Sequence, residues 1–413
     1  MTSFWSRVAT VLSGSLAAQL IAFLAAPLLT RLYGPESLGL FSIWLAWVSI
    51  AAIVATLRLE VAIVVAATSN ERRDGIVTAL LAVAILTVVG SILASMAEVA
   101  GMLTTGTIGR HAILLAALAV VVTAIYQLGL AYAVTQRMFA PAAHVKLIAA
   151  FAIASGQLGC GWWGDGTFLG LVVGQCIGVT LAAALALLRF KLPIWGLSIR
   201  GLWQRSTSYL WSQKDFVRFS LPADLINAGA AQMPLFLIGA AHGVGPAGLF
   251  ALTQRALGAP VALLAASVLD VFKQQATEDY RSHGNCQPVF VKTLKALTVL
   301  AVVPMTVVAW FAPDFFAIVF GADWRAAGDM ARLLVPLYFL RFVASPLSYV
   351  LYIAGKQRFD LLWQMALLSI TAAAFLVPRD LDAKLLAYSL GYSALYIVYL
   401  GMAYQFSKGE RLR

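Results

Sequence analysis

VATVLSGSLAAQLIAFLAAPLLT, residues 8–30, contains no charged residue. A run of about 18 or more such residues is long enough to cross a hydrocarbon core of about 30 Å as a helix. Arg7 before it, and the small residues Ser15, Ala17 and Ala18 within it, also occur in cleavable leaders. The apolar part is longer than a leader's core and continues to Pro27, so we read it as a retained first helix. Ile76 to Ala97 and Leu169 to Leu188 are charge-free runs of the same kind.

These runs are typical of the whole chain. Of its 413 residues, 61% are hydrophobic and 11% charged, with a mean hydropathy of +0.87, whereas soluble domains carry about a quarter charged residues. The composition predicts an all-α polytopic membrane protein rather than a string of soluble domains. Apolar runs between polar breaks predict about twelve spans, near 10–30, 38–66, 76–97, 111–134, 143–161, 168–189, 219–241, 247–272, 290–312, 327–354, 360–377 and 383–406.

With a cytoplasmic N-terminus, most of the 29 basic residues fall on the cytoplasmic side of these spans. That bias places both termini in the cytoplasm. It also explains the net charge of +11 by topology and contact with anionic membrane lipids, so no nucleic acid is implied. Residues 190–218 form the longest polar connection, with Trp195, Trp203, Tyr209 and Trp211 among basic residues. We read it as an interfacial linker between an N-terminal six-helix lobe, 1–189, and a C-terminal one, 219–413.

The lobes echo each other. YGPESLGLF (33–41) matches HGVGPAGLF (242–250) at an offset of 209, and Gln136-Arg137 matches Gln357-Arg358 at an offset of 221. Six spans per half make such a repeat parallel, related by a pseudo-two-fold axis along the membrane normal.

Ionisable residues inside spans are costly and generally face a partner or a wet cavity. Arg58, Arg255 and Arg341 fit that description. Arg58 lies about 18 Å along a helix from Asn70, beyond simple snorkelling. Three deep arginines against few deep acids predict an anion-binding cavity, while pairing with an acidic neighbour or helix carbonyls is the structural alternative for each. In a continuous helix Glu60 is rotated about 200° from Arg58, which places the two on nearly opposite faces and precludes their pairing. Glu60 is then a structural acceptor or a coupling-ion ligand. Asp224, near the start of the seventh span, caps a helix or lines an inward-facing mouth.

Prolines 27, 234, 260, 304, 336 and 346 predict kinks. Gly170, Gly174 and Gly178 form a small-residue face for close helix packing. The sequence has no phosphate-binding GxxxxGK[ST] loop and no GxSxG nucleophile motif. Its four histidines and three cysteines form no metal-ligand pattern. Neither an enzyme, nor a metal site, nor a disulfide is therefore expected.

TRLYGPESLGLF (30–41), ATLRLEVAIV (55–64), RFSLPADLINA (218–228), GLFALTQRALGAPVALL (248–264) and VFGADWRAAG (319–328) together resemble signature segments of the Wzx-type polysaccharide and O-antigen flippases. These belong to the multidrug/oligosaccharidyl-lipid/polysaccharide (MOP) exporter superfamily. The resemblance implies a MATE-like, two-lobed transporter with a central cavity. Its expected role is moving undecaprenyl-diphosphate-linked oligosaccharide across a bacterial inner membrane, with no cofactor and with a proton or sodium gradient as the coupling source. In that picture Arg58, Arg255 and Arg341, with Arg31 near the periplasmic exit, contact the diphosphate or acidic sugars. Glu60 and Asp224 are the candidate coupling acids. Polysaccharide polymerase and chain-length proteins join the expected partners. A drug or organic-cation antiporter of the same superfamily and a non-transporting scaffold for polysaccharide assembly stand as alternatives.

Overall fold

The computed structural model describes residues 2–99, 110–164, 166–193 and 201–409. Trp195, expected in the interfacial linker, lies outside them. The described chain is helical throughout, without a strand. Its first helices are α1 (Thr2–Leu32), α2 (Pro35–Thr56), α3 (Leu59–Val65), α4 (Ser69–Val99), α5 (Arg110–Thr135), α6 (Phe139–Trp163), α7 (Phe168–Phe190) and α8 (Leu202–Ser212). A π-helical turn, Phe216–Ser220, leads into α9 (Leu221–His242) and α10 (Val244–His283). The chain closes with α11 (Gln287–Phe320), a 3₁₀ turn at Ala322–Trp324, α12 (Arg325–Leu347), α13 (Tyr349–Ile353), α14 (Gln357–Leu376) and α15 (Leu381–Ser407).

Among the described residues, 11 helical segments are long and apolar enough to cross a membrane. The 40-residue α10, which contains the expected eighth span, is not among those 11. The ninth span also runs further than expected, through Pro313 to Phe320. Buried Ala312 and Pro313 pack so closely on α12 that a Cβ at Gly328 would lie 2.5 Å from the Ala312 carbonyl. Tertiary packing carries the helix past its proline.

The expected second span is broken. Leu57 and Arg58 both take the left-handed conformation (φ 50° and 61°), so α2 ends at Thr56 and α3 starts afresh at Leu59. Two consecutive non-glycine residues there cost about 1–2 kcal/mol each. The break is held by packing: Leu57 lies against a buried cluster that includes Leu59, Ile63, Ile76, Leu128 and Tyr209.

By packing, the chain divides into Met1–Gln232 and Met233–Arg413, with the boundary inside α9. In the first unit α7 lies against α6 through the expected glycine face. A Cβ at Gly174 would meet the Gln157 backbone nitrogen at 2.4 Å, and one at Gly178 would meet Ile153 at 2.4 Å. Tyr33, in the turn after α1, donates to the Gln157 carbonyl at 2.7 Å. Burial, with a smaller contribution from Cys160, pushes the Tyr33 hydroxyl up to about 12. The amphipathic α8 exposes Trp203 and Trp211 and buries Tyr209, which fits an interfacial element. Burial, followed by the charges of Glu71 and Asp74, pushes the Tyr209 hydroxyl up to about 12.

In the second unit α12 is the central helix. Thr253 of α10 donates to the Ala327 carbonyl at 2.8 Å, and α15 packs along α12 as well.

The internal echo appears in local structure. Gly34 precedes α2 and Gly243 precedes α10, so the 209-residue offset aligns two helix starts. The second echo has a different register. After α5, Met138 donates to the Ala133 carbonyl and Arg137 to that of Val134; after α13, Lys356 donates to the Leu351 carbonyl and Gly355 to that of Tyr352. Both are the same helix-ending motif with a left-handed residue, Arg137 or Gly355. They match at an offset of 218 rather than the 221 suggested by the Gln-Arg pairs.

Candidate functional site

The break between α2 and α3 brings three charged side chains together in the first unit. Arg58 donates through Nη1 to Glu60 Oε1 at 3.0 Å and through Nε to Asp224 Oδ2, in the first turn of α9. The expectation that Arg58 and Glu60 face opposite ways is therefore wrong. It assumed a continuous helix, and the two left-handed residues cancel the 200° rotation. Depth is corrected too. The 22 residues of α2 reach about 33 Å, enough to cross the hydrocarbon core by themselves, so Arg58 lies past the end of its span.

The electrostatics change accordingly. One guanidinium faces two carboxylates, which leaves the ionised trio with one negative charge in excess. Arg58 and Asp224 are about a third exposed by side chain, and Glu60 is at 11%. The second Glu60 oxygen, Oε2, is buried without a hydrogen-bond partner. That oxygen is an open acceptor position beside the ion pair.

The second unit presents a different arrangement. Arg341 is the seventeenth residue of the 23-residue α12, and its side chain is exposed. Its guanidinium sits 6.0 Å from the centre of the Tyr338 ring. Beside it α15 carries Tyr388, Tyr392 and Tyr396 at successive four-residue steps, which puts them on one helical face. Ring centres are 4.4 Å apart for the first pair and 6.4 Å for the second. The Tyr392 hydroxyl shares a 2.7 Å hydrogen bond with Thr371 of α14. Among the described residues no carboxylate forms an ion pair with Arg341, so an arginine and a polar-tipped aromatic ladder remain.

Sequence reading had isolated Arg341 but missed the tyrosines, whose spacing in YSLGYSALY (388–396) was the available signal. It also missed Asp360, at the start of α14. This carboxylate accepts from Tyr399 and Gln364 at 2.8 Å and from Tyr352 at 3.4 Å, tying α13, α14 and α15 together.

Arg255 lies 11 residues into α10, about 17 Å along the helix. Its side chain is exposed. Arg31 is exposed in the last turn of α1. The structure thus gathers Arg58, Glu60 and Asp224 in one place, with Arg31 elsewhere in that unit; Arg255 and Arg341 belong to the second unit. Among the described residues no group of three His, Cys, Asp or Glu side chains is placed to hold a metal ion.

Solved structures share this fold. A multidrug resistance MATE family transporter of the MOP superfamily, in an inward-facing conformation, matches with TM-score 0.61 and 15% identity over 93% of each chain. The lipid II flippase MurJ, in an inward closed conformation, matches with TM-score 0.61 and 13% identity over 98% of this chain and 88% of that one. A MOP superfamily transporter from Pyrococcus furiosus, described by a binding pocket of reverse polarity, gives 0.59 and 13% over 96% and 94%. At these identities the likeness establishes the fold alone. No curated protein matches the sequence. The family model "Polysaccharide biosynthesis protein" matches residues 28–329, and this multi-pass, all-helical membrane chain with the MOP transporter fold belongs to that family.

Proposed function

We propose that the protein is a Wzx-type flippase that moves undecaprenyl-diphosphate-linked O-antigen or exopolysaccharide repeat units across the bacterial inner membrane by alternating access. The observation that carries this reading is a polysaccharide-biosynthesis family match on a transporter fold. Its orientation, with both termini cytoplasmic, rests on the distribution of basic residues.

The two charged regions divide the work. Arg341, exposed beside its tyrosines, is the main contact for the diphosphate or an acidic sugar. A guanidinium makes forked, charge-assisted hydrogen bonds to phosphate, and aromatic rings offer apolar faces to sugar rings while their hydroxyls hydrogen-bond. Arg255 supplies a second deep cation and Arg31 a contact nearer the exit. The Arg58, Glu60 and Asp224 trio is the coupling element. A proton or sodium ion reaching the surplus carboxylate releases one arm of Arg58 and changes the relative stability of conformations that bind substrate differently.

Complementation of a flippase-deficient strain tests the reading, with the accumulated lipid-linked oligosaccharide identified by mass spectrometry. Restored polymer and a cleared intermediate are expected. Recovery of drug resistance without any change in glycan would instead establish the antiporter reading.

A further inference from the structure

A cavity of about 170 Å³ lies at the base of the α5–α6 hairpin, lined by Leu130, Ala131, Val134, Phe139, Ala142, Ala143 and Lys146. The lining is local in sequence. Residues 130, 131 and 134 share a face of α5, and residues 139, 142, 143 and 146 share a face of α6 at helical spacing. Its walls are apolar except for Lys146, whose ammonium donates to Ser15 of α1 at 3.0 Å. Among the described residues Lys146 makes no ion pair. No acid occurs anywhere between Leu130 and Lys146, whereas Arg137 stands exposed in the hairpin turn. The site has the sign of an anion-binding pocket and the walls of an aliphatic one.

We infer that this cavity is a lipid-phosphate site, in which Lys146 holds the phosphate and the aliphatic chain leaves across Val134. Three observations favour an amphiphile over a free ion. The cavity holds roughly five to six water volumes at ~30 Å³ each, enough for a phosphate and the first methylenes of a chain. Val134, on its wall, is 44% exposed and leads outward. Lys146 is also within reach of the headgroups. It lies seven residues, about 10 Å, from the start of α6. The 25 residues of α6 reach about 37 Å, about 7 Å longer than the ~30 Å core, so its first turn can lie outside the hydrocarbon. The flexible lysine stem spans the remaining few ångströms.

The test uses purified full-length protein and three probes: dioleoyl phosphatidic acid, dioleoylglycerol with the same chains but no phosphate, and inorganic phosphate with no chain. Native mass spectrometry reads adducts, and thermal melting reads stabilisation. Phosphatidic acid is expected to bind and stabilise, with Lys146→Met weakening it about tenfold, the usual scale of a charge-assisted contact. Val134→Trp, which closes the wall without touching the cation, should weaken it as well. Unliganded melting points close to the parent's show that both variants fold. Equal binding of dioleoylglycerol would overturn the phosphate contact, equal binding of inorganic phosphate would overturn the lipid, and indifference to both substitutions would overturn the site.

Discussion

Arg58 and Arg341 look alike in sequence, since each is an arginine in a long apolar run, yet they occupy opposite electrostatic situations. Arg58 sits beyond the end of a complete span, at a helix break, with two carboxylates on its guanidinium. Arg341 sits within α12, exposed, with a tyrosine ring beneath it. A cation already matched by acids inside its own unit has little attraction left for a substrate anion. A cation that leans on neutral aromatic rings keeps its charge available. An arginine in an apolar run therefore has to be judged by its partners before its depth.

The largest effect should come from unbalancing the first region. Arg58→Ala leaves Glu60 and Asp224 facing each other without their counter-charge, so abundance in the membrane should fall several-fold and transport with it. Combining it with Glu60→Gln and Asp224→Asn should restore abundance, read by immunoblot of membrane fractions, but leave transport uncoupled. Restored transport in that triple variant would remove the trio from the mechanism.

Next in size is Arg341→Ala, expected to cut transport about tenfold through a lost charge-assisted contact while abundance stays normal. Arg341→Lys should recover part of that loss if forked geometry matters and all of it if charge alone suffices.

Gly75→Ala probes how the broken helix is held. Its Cβ would lie 2.6 Å from the Tyr209 hydroxyl and 2.9 Å from Ile63 Cγ1, so these two buried side chains must give way. A destabilisation of about 1–3 kcal/mol, the usual range for overpacking, should appear in thermal melts, whereas Arg341→Ala should leave the melt near the parent's. Smallest is Tyr392→Phe, which removes the hydrogen bond to Thr371 at a cost of about 1 kcal/mol and leaves the ring ladder intact. A two- to threefold fall in transport is expected.

Much of the fold was legible because it follows from length and apolarity. Charge-free runs marked the spans, and Gly170, Gly174 and Gly178 marked a packing face that the structure places against α6. The break at Leu57–Arg58 was illegible because neither residue favours the left-handed region. Only the tertiary cluster behind Leu57 and the two acids reached by Arg58 hold it there. The ninth span, expected to end near 312, runs on for the converse reason, as packing against Gly328 keeps the helix going through Pro313. At the candidate site, residue types were readable but pairings were not. Asp224 is 166 residues from Arg58, and no local pattern announces a contact at that separation. The tyrosine ladder was readable from its four-residue spacing, but only once its helix is known to face Arg341.

If the two arginines have different jobs, equilibrium binding separates them. A short-chain polyprenyl diphosphate oligosaccharide would be titrated against purified parent, Arg341→Ala and the neutralised Arg58→Ala/Glu60→Gln/Asp224→Asn protein. About tenfold weaker binding is expected for Arg341→Ala, and near-parental affinity for the neutralised trio. The reverse order, with binding lost at Arg58 and unchanged at Arg341, would contradict that division.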